Sequence, residues 1–460
     1  MSAPAVIAGA IVVGGAAVTL WLNLPGHLSY DSIVQLAQGR AGVYNLEHPP
    51  VMAWLLGLAD RVIPGAALFV VFDAVLIAAG CAAFAGMAHR SAWLAVLAAA
   101  ALAASPQLII YPAIVWTDVL FAGAGVAAFA CLAWAARCWT APPARYALLG
   151  AGALLIALAA LARQNGALLA PFAAIAVAFM TPAQAGRPPL RGRAAHGFAF
   201  LALSGAIAVA GAAGLGARDD GRYTNADHWQ ELQTYDLVAA LARQPSLDLP
   251  ALGPSLAHLL RTEGVADYDP AGTDRLGPVL SQMDDTADAQ AQISDEWRSL
   301  ILRHPLLYLR VRMSAFDWLV LDPKLDRCLP VYVGVDGPQP EMGDLGLARR
   351  GDARDNALEA YALSPPVKLF FAHAAFGALS LLILVKLLLR RRPEDLAVAS
   401  MLAGALAFTL SFAVISIGCD YRYLYFLDLA AMAGGLYLAA TVEIRQPRRA
   451  GFRPGDALAE

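Results

Sequence analysis

The chain is predicted to be an all-α protein that crosses a membrane many times, and three observations carry that reading. Of its 460 residues 59% are hydrophobic and 15% charged, and its mean hydropathy is +0.56, a balance outside the usual range of soluble domains. The apolar residues gather in runs of roughly 17 to 25, the length a helix needs to cross ~30 Å of hydrocarbon. The basic residues recur in alternate short connections, which is the pattern that sets orientation. The net charge of −3 decides little beside that pattern, and nucleic acid is not an expected partner.

Taken in order, the candidate spans are 6–22, 66–87, 92–110, 119–136, 146–162, 166–180, 194–215, 367–389, 396–417 and 423–442, about ten in all. The run 51–63 is too short to cross and carries Asp60 and Arg61, so it reads as an interfacial helix. Arg90, Arg137, Arg145, Arg187, Arg191, Arg193, Arg390, Arg391, Arg392 and the tail residues Arg445, Arg448, Arg449 and Arg453 then share one side, the cytoplasmic one. Both termini fall inside. The connections holding Asp31, His48, Asp118, Arg163, Asn165 and Asp420 fall outside. If 51–63 crossed, the first loop alone would change sides. No basic residue precedes the first apolar run, so an uncleaved first span is expected rather than a signal peptide.

The first outer loop, 23–65, is the most informative stretch. Ile33, Leu36 and Ala37 against Asp31, Gln35 and Gln38 have helical spacing, which predicts a short amphipathic helix lying in the interface. In the cluster Glu47, His48, Pro49 and Pro50, the prolines fix the start of a further helix, because proline fits a first turn and cannot continue an earlier one. An acid, a histidine and a second acid thus sit on rigid elements at one bilayer face. Taken alone, they could equally be solvated loop residues.

Residues 218–364 form the one long polar block, acidic by about ten charges. Helical spacing over 231–242 and 289–302, with proline-bounded breaks at 245–254 and 330–340, predicts a small, mainly helical periplasmic domain. The segment 306–321 is interrupted by Arg310, Arg312 and Asp317, so it is expected to lie on the membrane. The organisation is therefore an N-terminal membrane module, 1–217, an outer domain, 218–364, and a C-terminal membrane module with a cytoplasmic tail, 365–460. The five cysteines show no CxxC pair and no metal-ligand spacing. Cys328 and Cys419 both fall outside, but nothing in the sequence brings them together, and free thiols are the expectation.

Charge inside hydrocarbon is costly, so intramembrane ionisable residues are candidate functional groups. Here they are few and lie toward one side: Asp73 and Asp428 about two turns in, Asp118 opening a span, Arg163 closing one. A polar cleft open to the outer face explains them economically, with structural pairing the competing account for Asp73 and Asp428. The last outer connection packs Asp420, Tyr421, Arg422, Tyr423 and Tyr425 at the mouth of the final span. Tyrosines there are ordinary interface anchors. Arg422 and Arg163, by contrast, run against the charge bias, and a planar guanidinium fork suits a phosphate.

There is no P-loop, HExxH or dinucleotide fingerprint, and the Asp267-Tyr268-Asp269 pair is what chance supplies in an acidic loop. The early acid with its HPP cluster, the outer-edge Asp of VWTDVLFAG, the RQNG segment and the terminal DYRYLY resemble the GT-C superfamily of membrane glycosyltransferases. The groups most resembled are those of the protein O-mannosyltransferase and lipid A aminoarabinose transferase type. The likeness covers most of the first half and the last two spans, and leaves 218–364 unmatched. It implies a bacterial cytoplasmic (inner) membrane protein with its active site facing the periplasm or exterior. It further implies a polyprenyl-phosphate sugar donor and a glycan, lipid or protein acceptor. By matching position, Asp31 corresponds to the first-loop catalytic acid, His48 to the residue before the paired prolines, and Asp118 to the second acidic site. Where the O-mannosyltransferases carry an Asp-Glu pair, Asp31 is followed by Ser32.

Residue chemistry is compatible with that reaction. An inverting sugar transfer needs a carboxylate to take the acceptor proton and cations to hold the departing phosphate. The expected catalytic residues are Asp31 as base and Asp118 as orienting or assisting acid; the expected donor and substrate contacts are Glu47, His48, Arg163, Asn165, Asp420, Arg422 and Tyr423. A divalent cation is left open, since paired carboxylates serve as ligands as readily as bases. A transporter or flippase of a lipid-linked saccharide is the alternative, though it should show internal repeats and broken spans in matching positions, and no such repeat is seen.

Overall fold

The computed structural model describes residues 2–442 apart from 46, 181–189, 222–224, 285–287 and 322–323; Arg187 and the basic tail lie outside the described residues. Among the described residues the regular structure is helical, with only isolated backbone bridges between loops. The protein is an all-α polytopic membrane protein. Among the described residues eight helices are long and apolar enough to cross a membrane.

The first pass is α1 (Ala3–Asn23); α2 (Tyr30–Ala41) and α3 (Pro50–Val62) follow it, and α4 (Ala67–Ala85) returns. At ~1.5 Å per residue α3 spans only ~20 Å, too little to cross. Arg40 at the end of α2 donates from Nε and Nη2 to the two oxygens of Asp60 at 2.9 and 2.7 Å, which holds the end of α3 beside α2. The two helices cross where Gly39 meets Gly57: a Cβ built on Gly57 would stand 2.1 Å from the Gly39 carbonyl oxygen. That backbone contact fixes the angle at which the start of α2 and the residues before α3 are presented.

The run 92–110 departs from the expected single span. Helix α5 (Leu94–Ala103) stops, Ser105 is extended, and the chain resumes at Pro106–Ala113 with a 65° bend. Pro106 is the cause: it supplies no N–H to continue α5 and pushes its predecessor out of the helical region. Next come α6 (Thr117–Arg137), α7 (Pro142–Ala162), the short α8 (Leu169–Phe179) and α9 (Leu190–Gly216). After the polar block, α13 (His373–Arg390), α14 (Pro393–Ile415) and α15 (Tyr425–Thr441) complete the bundle. Against the ten passes expected from sequence, the described residues hold eight helices of spanning length, or nine with the bent pair as one span, and the short apolar helix Gln164–Phe179 stands where a tenth is expected.

Contacts between helix ends fix the direction of each pass. At one end Ser2 Oγ donates to the Ala88 carbonyl at 2.6 Å, the His89 ring meets the Val442 carbonyl at 2.7 Å, and Trp139 packs on His196. Because Trp139 just precedes α7 and His196 lies in α9, α8 must carry the chain back across despite its length. This end also holds Arg90, Arg137, Arg145, Arg191, Arg193 and Arg390–Arg392. At the other end Val115 N donates to the His27 carbonyl at 3.1 Å and Tyr44 N to that of Arg218 at 3.0 Å. Apolar faces left open on the long helices, such as Val209 at 70% and Leu382 at 69% exposed, are those lipid would cover.

The polar block contributes α10 (Asn225–Arg243), α11 (Ala289–Arg303) and α12 (Pro305–Leu321). It does not gather round one core. Tyr235, Val238, Leu256, Ile293, Leu300 and Val311 form a separate hydrophobic cluster, whereas Val331, Val335, Met342, Leu358 and Ala362 belong to the core of the bundle. The second half is stitched to the first loop: Arg350 donates to the Gly26 carbonyl at 2.8 Å and to Asp355 at 3.0 Å, and Gly334 N donates to His27 Nδ1 at 2.9 Å. With Nδ1 accepting, His27 is neutral; burial outweighs Asp355 and pushes its pKa down to about 4. The expectation of free thiols at Cys328 and Cys419 is overturned, for they form a disulfide across 91 residues. The reason is tertiary: Tyr421 N donates to the Cys328 carbonyl at 2.7 Å, so the polar block and the last loop are already in register.

Gly57→Ala should wedge α2 from α3, lowering stability by ~1–3 kcal/mol as overpacking does. Gly150→Ala, where an added Cβ meets nothing within 4 Å, serves as control. A thermal midpoint in detergent that falls for the first and not the second is the expected result.

Candidate functional site

The site forms where the first loop, the start of α6, the end of α7 and the start of α15 meet. Helix α2 opens with Ser29 and Ser32 in a local cap, Ser29 N donating to Ser32 Oγ at 3.2 Å. Both serines also bind the approach to α6: Ser32 Oγ donates to the Val115 carbonyl at 2.6 Å, and Trp116 Nε1 donates to Ser29 Oγ at 2.9 Å. One N-cap thus docks α2 on α6, bringing the carboxylates of Asp31 and Asp118, each in the first turn of its helix, to one end of the bundle.

Each carboxylate meets an arginine. Arg422 Nη1 donates to Asp31 Oδ2 at 2.8 Å, a contact between residues 391 apart in sequence. Arg163, just past the end of α7, pairs with Asp118 through Nη1. The ring of Tyr423 connects the two pairs, with the guanidiniums of Arg163 and Arg422 each 5.5 Å from its centroid. Arg422 also lies 5.0 Å from the Trp116 ring, and Arg163 lies 5.7 Å from that of Phe412. Faces of aromatic rings favour a cation and carry no competing formal charge, so they hold the guanidiniums in place.

Asp420 makes an ion pair with Arg422 Nε at 3.2 Å. Two carboxylates therefore share one guanidinium, and their environments separate them. Burial pushes Asp31 up, but Arg422 and His48 outweigh it and hold its carboxyl below the ordinary carboxylate value. For Asp420 burial prevails over Arg422, aided by repulsion from Asp274 and Asp31, and its pKa is raised. Asp31 is thus the better-ionised member of the pair. His48 Nε2 stands 3.8 Å from Asp31 Oδ1. Burial lowers the His48 pKa against the pull of Asp31 and Glu47, which leaves it neutral at pH 7 beside Asp31.

Of the other expected residues, Glu47 is close enough to act on His48, while Asn165 turns to α14, its Nδ2 donating to Ser411 Oγ at 3.0 Å. Asp428 is sequestered with His373 Nδ1 at 3.0 Å and with the Tyr421 hydroxyl, which braces the turn carrying Arg422 from below. Asp73 is buried with neither oxygen hydrogen-bonded among the described residues, and it joins no part of this site. Asp267 and Asp269 pair with Arg275 and Arg327, as solvated loop acids do. Sequence reasoning missed Trp116, whose place before α6 gives no hint of its two partners, and His228, which α10 brings near His48. Among the described residues no three His, Cys, Asp or Glu side chains gather as metal ligands.

Asp118→Ala should leave Arg163 buried without its acid and cost ~3–5 kcal/mol. Removing both in Asp118→Ala/Arg163→Leu should recover more than half of that loss in a thermal or denaturant cycle. A coupling under ~0.5 kcal/mol would contradict the pairing.

No protein-family model matches the sequence, and no curated protein does. Among solved structures the chain is similar to the oligosaccharyltransferase AglB of Archaeoglobus fulgidus in complex with an inhibitory peptide and a dolichol-phosphate, at 14% identity and a TM-score of 0.41. The apo form of the Archaeoglobus fulgidus oligosaccharyltransferase is similar at 13% identity and 0.41, and its complex with Zn and sulfate at 15% and 0.40. The alignments cover 93% of this chain and 48–50% of those chains, so the protein spans about half their length. At these TM-scores the overlap is coarse, and what this chain does is read from its own residues.

Proposed function

We propose that the protein is a membrane glycosyltransferase that moves a sugar from a polyprenyl-phosphate donor to a cell-envelope acceptor, with inversion, on the exterior face. The observation that carries this is the pairing of two carboxylates with two arginines around Tyr423, at one end of the bundle. Asp31 is the base. It is ionised at neutral pH and 27% exposed, so an acceptor hydroxyl can reach it. As that hydroxyl loses its proton to Asp31, its oxygen bonds to the anomeric carbon, and the bond from that carbon to the phosphate oxygen breaks with its electron pair. Arg422 and Arg163 receive the charge that builds on the leaving phosphate, where fixed cations in a water-poor site act most strongly. Asp118 keeps Arg163 in position and orients the acceptor; Glu47, His48, Asp420 and Tyr423 shape the pocket.

Two features support the exterior face. The basic residues collect at the opposite end of the bundle, as positive-inside orientation requires. The Cys328–Cys419 disulfide lies immediately before Arg422 at the site's own end, and disulfides persist in oxidising compartments.

With the purified protein and a panel of polyprenyl-phosphate hexoses and pentoses, Asp31→Asn should slow transfer at least ~10²-fold, the scale of a lost general base. Arg422→Gln should cost a similar factor and also move the acid limb of the residual activity. In the parent enzyme the depressed pKa keeps Asp31 ionised to below the ordinary value of 3.8, so activity falls only in strong acid. Without Arg422, burial raises that pKa, and the limb shifts to higher pH. Full activity in both variants, or an unmoved limb in the second, contradicts the assignment.

A further inference from the structure

A second recess lies away from the paired charges. Between α10 and α11 is a groove of about 670 Å³, lined by Trp229 and Gln233 from one helix and Gln290, Ser294, Trp297 and Arg298 from the other. These residues follow helical spacing on facing sides, at i and i+4 on α10 and at i, i+4 and i+7 to i+8 on α11. The volume is within the ~300–1,000 Å³ typical of small-molecule sites.

The walls are built rather than incidental. Trp297 is pinned by its Nε1 donating to Asp236 Oδ2 at 2.9 Å and by an edge contact with Tyr308, and Asp236 is itself held by Arg312 at 2.7 Å. Ser294 Oγ donates to Gln233 Oε1 at 2.9 Å, which orients that amide across the groove. Trp229, by contrast, is 51% exposed. An indole of that exposure at the edge of a recess is a flat apolar surface that a ligand ring can cover. The charges at the rim cancel, because Arg298 Nη1 pairs with Asp295 at 3.0 Å, so nothing selects an anion or a cation. What remains is two indoles, two amides and a hydroxyl. That set matches a neutral polyhydroxylated ring, whose C–H face stacks on an aromatic plane while its hydroxyls exchange hydrogen bonds with amides.

The location gives the recess a role. His228, the residue before Trp229, lies near His48, so α10 runs from the edge of the Asp31 site to the groove. We infer that the groove is a saccharide-binding subsite that holds a glycan acceptor whose end reaches Asp31. Its role in acceptor binding rests on the transferase reading; its ability to bind saccharide does not.

The test titrates the full-length protein in detergent with linear oligosaccharides of glucose, mannose, galactose or N-acetylglucosamine, following tryptophan fluorescence and calorimetric heat, with an unstructured peptide as comparison. At least one saccharide series should bind. Trp229→Ala, which removes an exposed ring, and Ala291→Trp, which fills the groove, should each weaken that binding at least tenfold, while Gly150→Ala, where an added Cβ meets nothing within 4 Å, leaves it unchanged. Absence of saccharide binding, binding indifferent to both groove variants, or selective binding of the peptide overturns the inference. Transfer lost in Asp31→Asn without any saccharide binding would remove the groove and keep the transferase. Saccharide binding without transfer from any donor would do the reverse.

Discussion

The contact between Asp31 and Arg422 is the constraint on which the rest of the site depends. It joins the first interfacial helix to the last span, and neither residue has a reason to sit at a membrane edge without the other. Exposed ion pairs contribute ~0–1 kcal/mol, whereas breaking a buried one costs ~3–5 kcal/mol. With side chains 27% and 17% exposed, this pair lies between those limits and remains open to a ligand. Holding it takes several supports at once. The Gly39–Gly57 crossing and the Ser29 cap place Asp31, while the Cys328–Cys419 bridge and the Asp428–Tyr421 contact place Arg422.

The same arrangement divides labour among like groups. Asp31 and Asp420 share one guanidinium, yet one is held ionised and the other is pushed toward its neutral form. Environments that separate the pKa values of neighbouring acids are how one site obtains both a base and a non-competing acid. The two arginines are likewise not redundant: Arg163 faces Asp118 and Phe412, Arg422 faces Asp31, Asp420 and Trp116, and the Tyr423 ring lies against both. The aromatic walls let two cations stand close without a carboxylate at every edge.

Much of the fold was legible because a bilayer admits few solutions. Apolar runs gave the passes, basic connections gave their parity, and in so apolar a chain Asp31, Asp118, Arg163 and Arg422 stood out by rarity. The bend at Ser105 had a visible signal in Pro106 that a hydropathy reading smooths over. Other features had no local signature. The disulfide, the Trp116 contacts and the approach of His228 to His48 depend on loops being brought into register by the rest of the fold. The polar block read as one domain, yet its apolar residues divide between two cores, and composition does not say which core a residue joins. The partner of Asp428 was hidden for the same reason, since His373 opens a helix far away in sequence.

The most direct measurement is a structure of the protein in lipid with a polyprenyl phosphate bound. The account requires the phosphate to lie between the guanidiniums of Arg163 and Arg422, with the Asp31 carboxylate facing the side from which an acceptor would attack and the isoprenoid chain between spans. A phosphate bound elsewhere, or Asp31 and Arg422 parted by packed hydrocarbon, would contradict it.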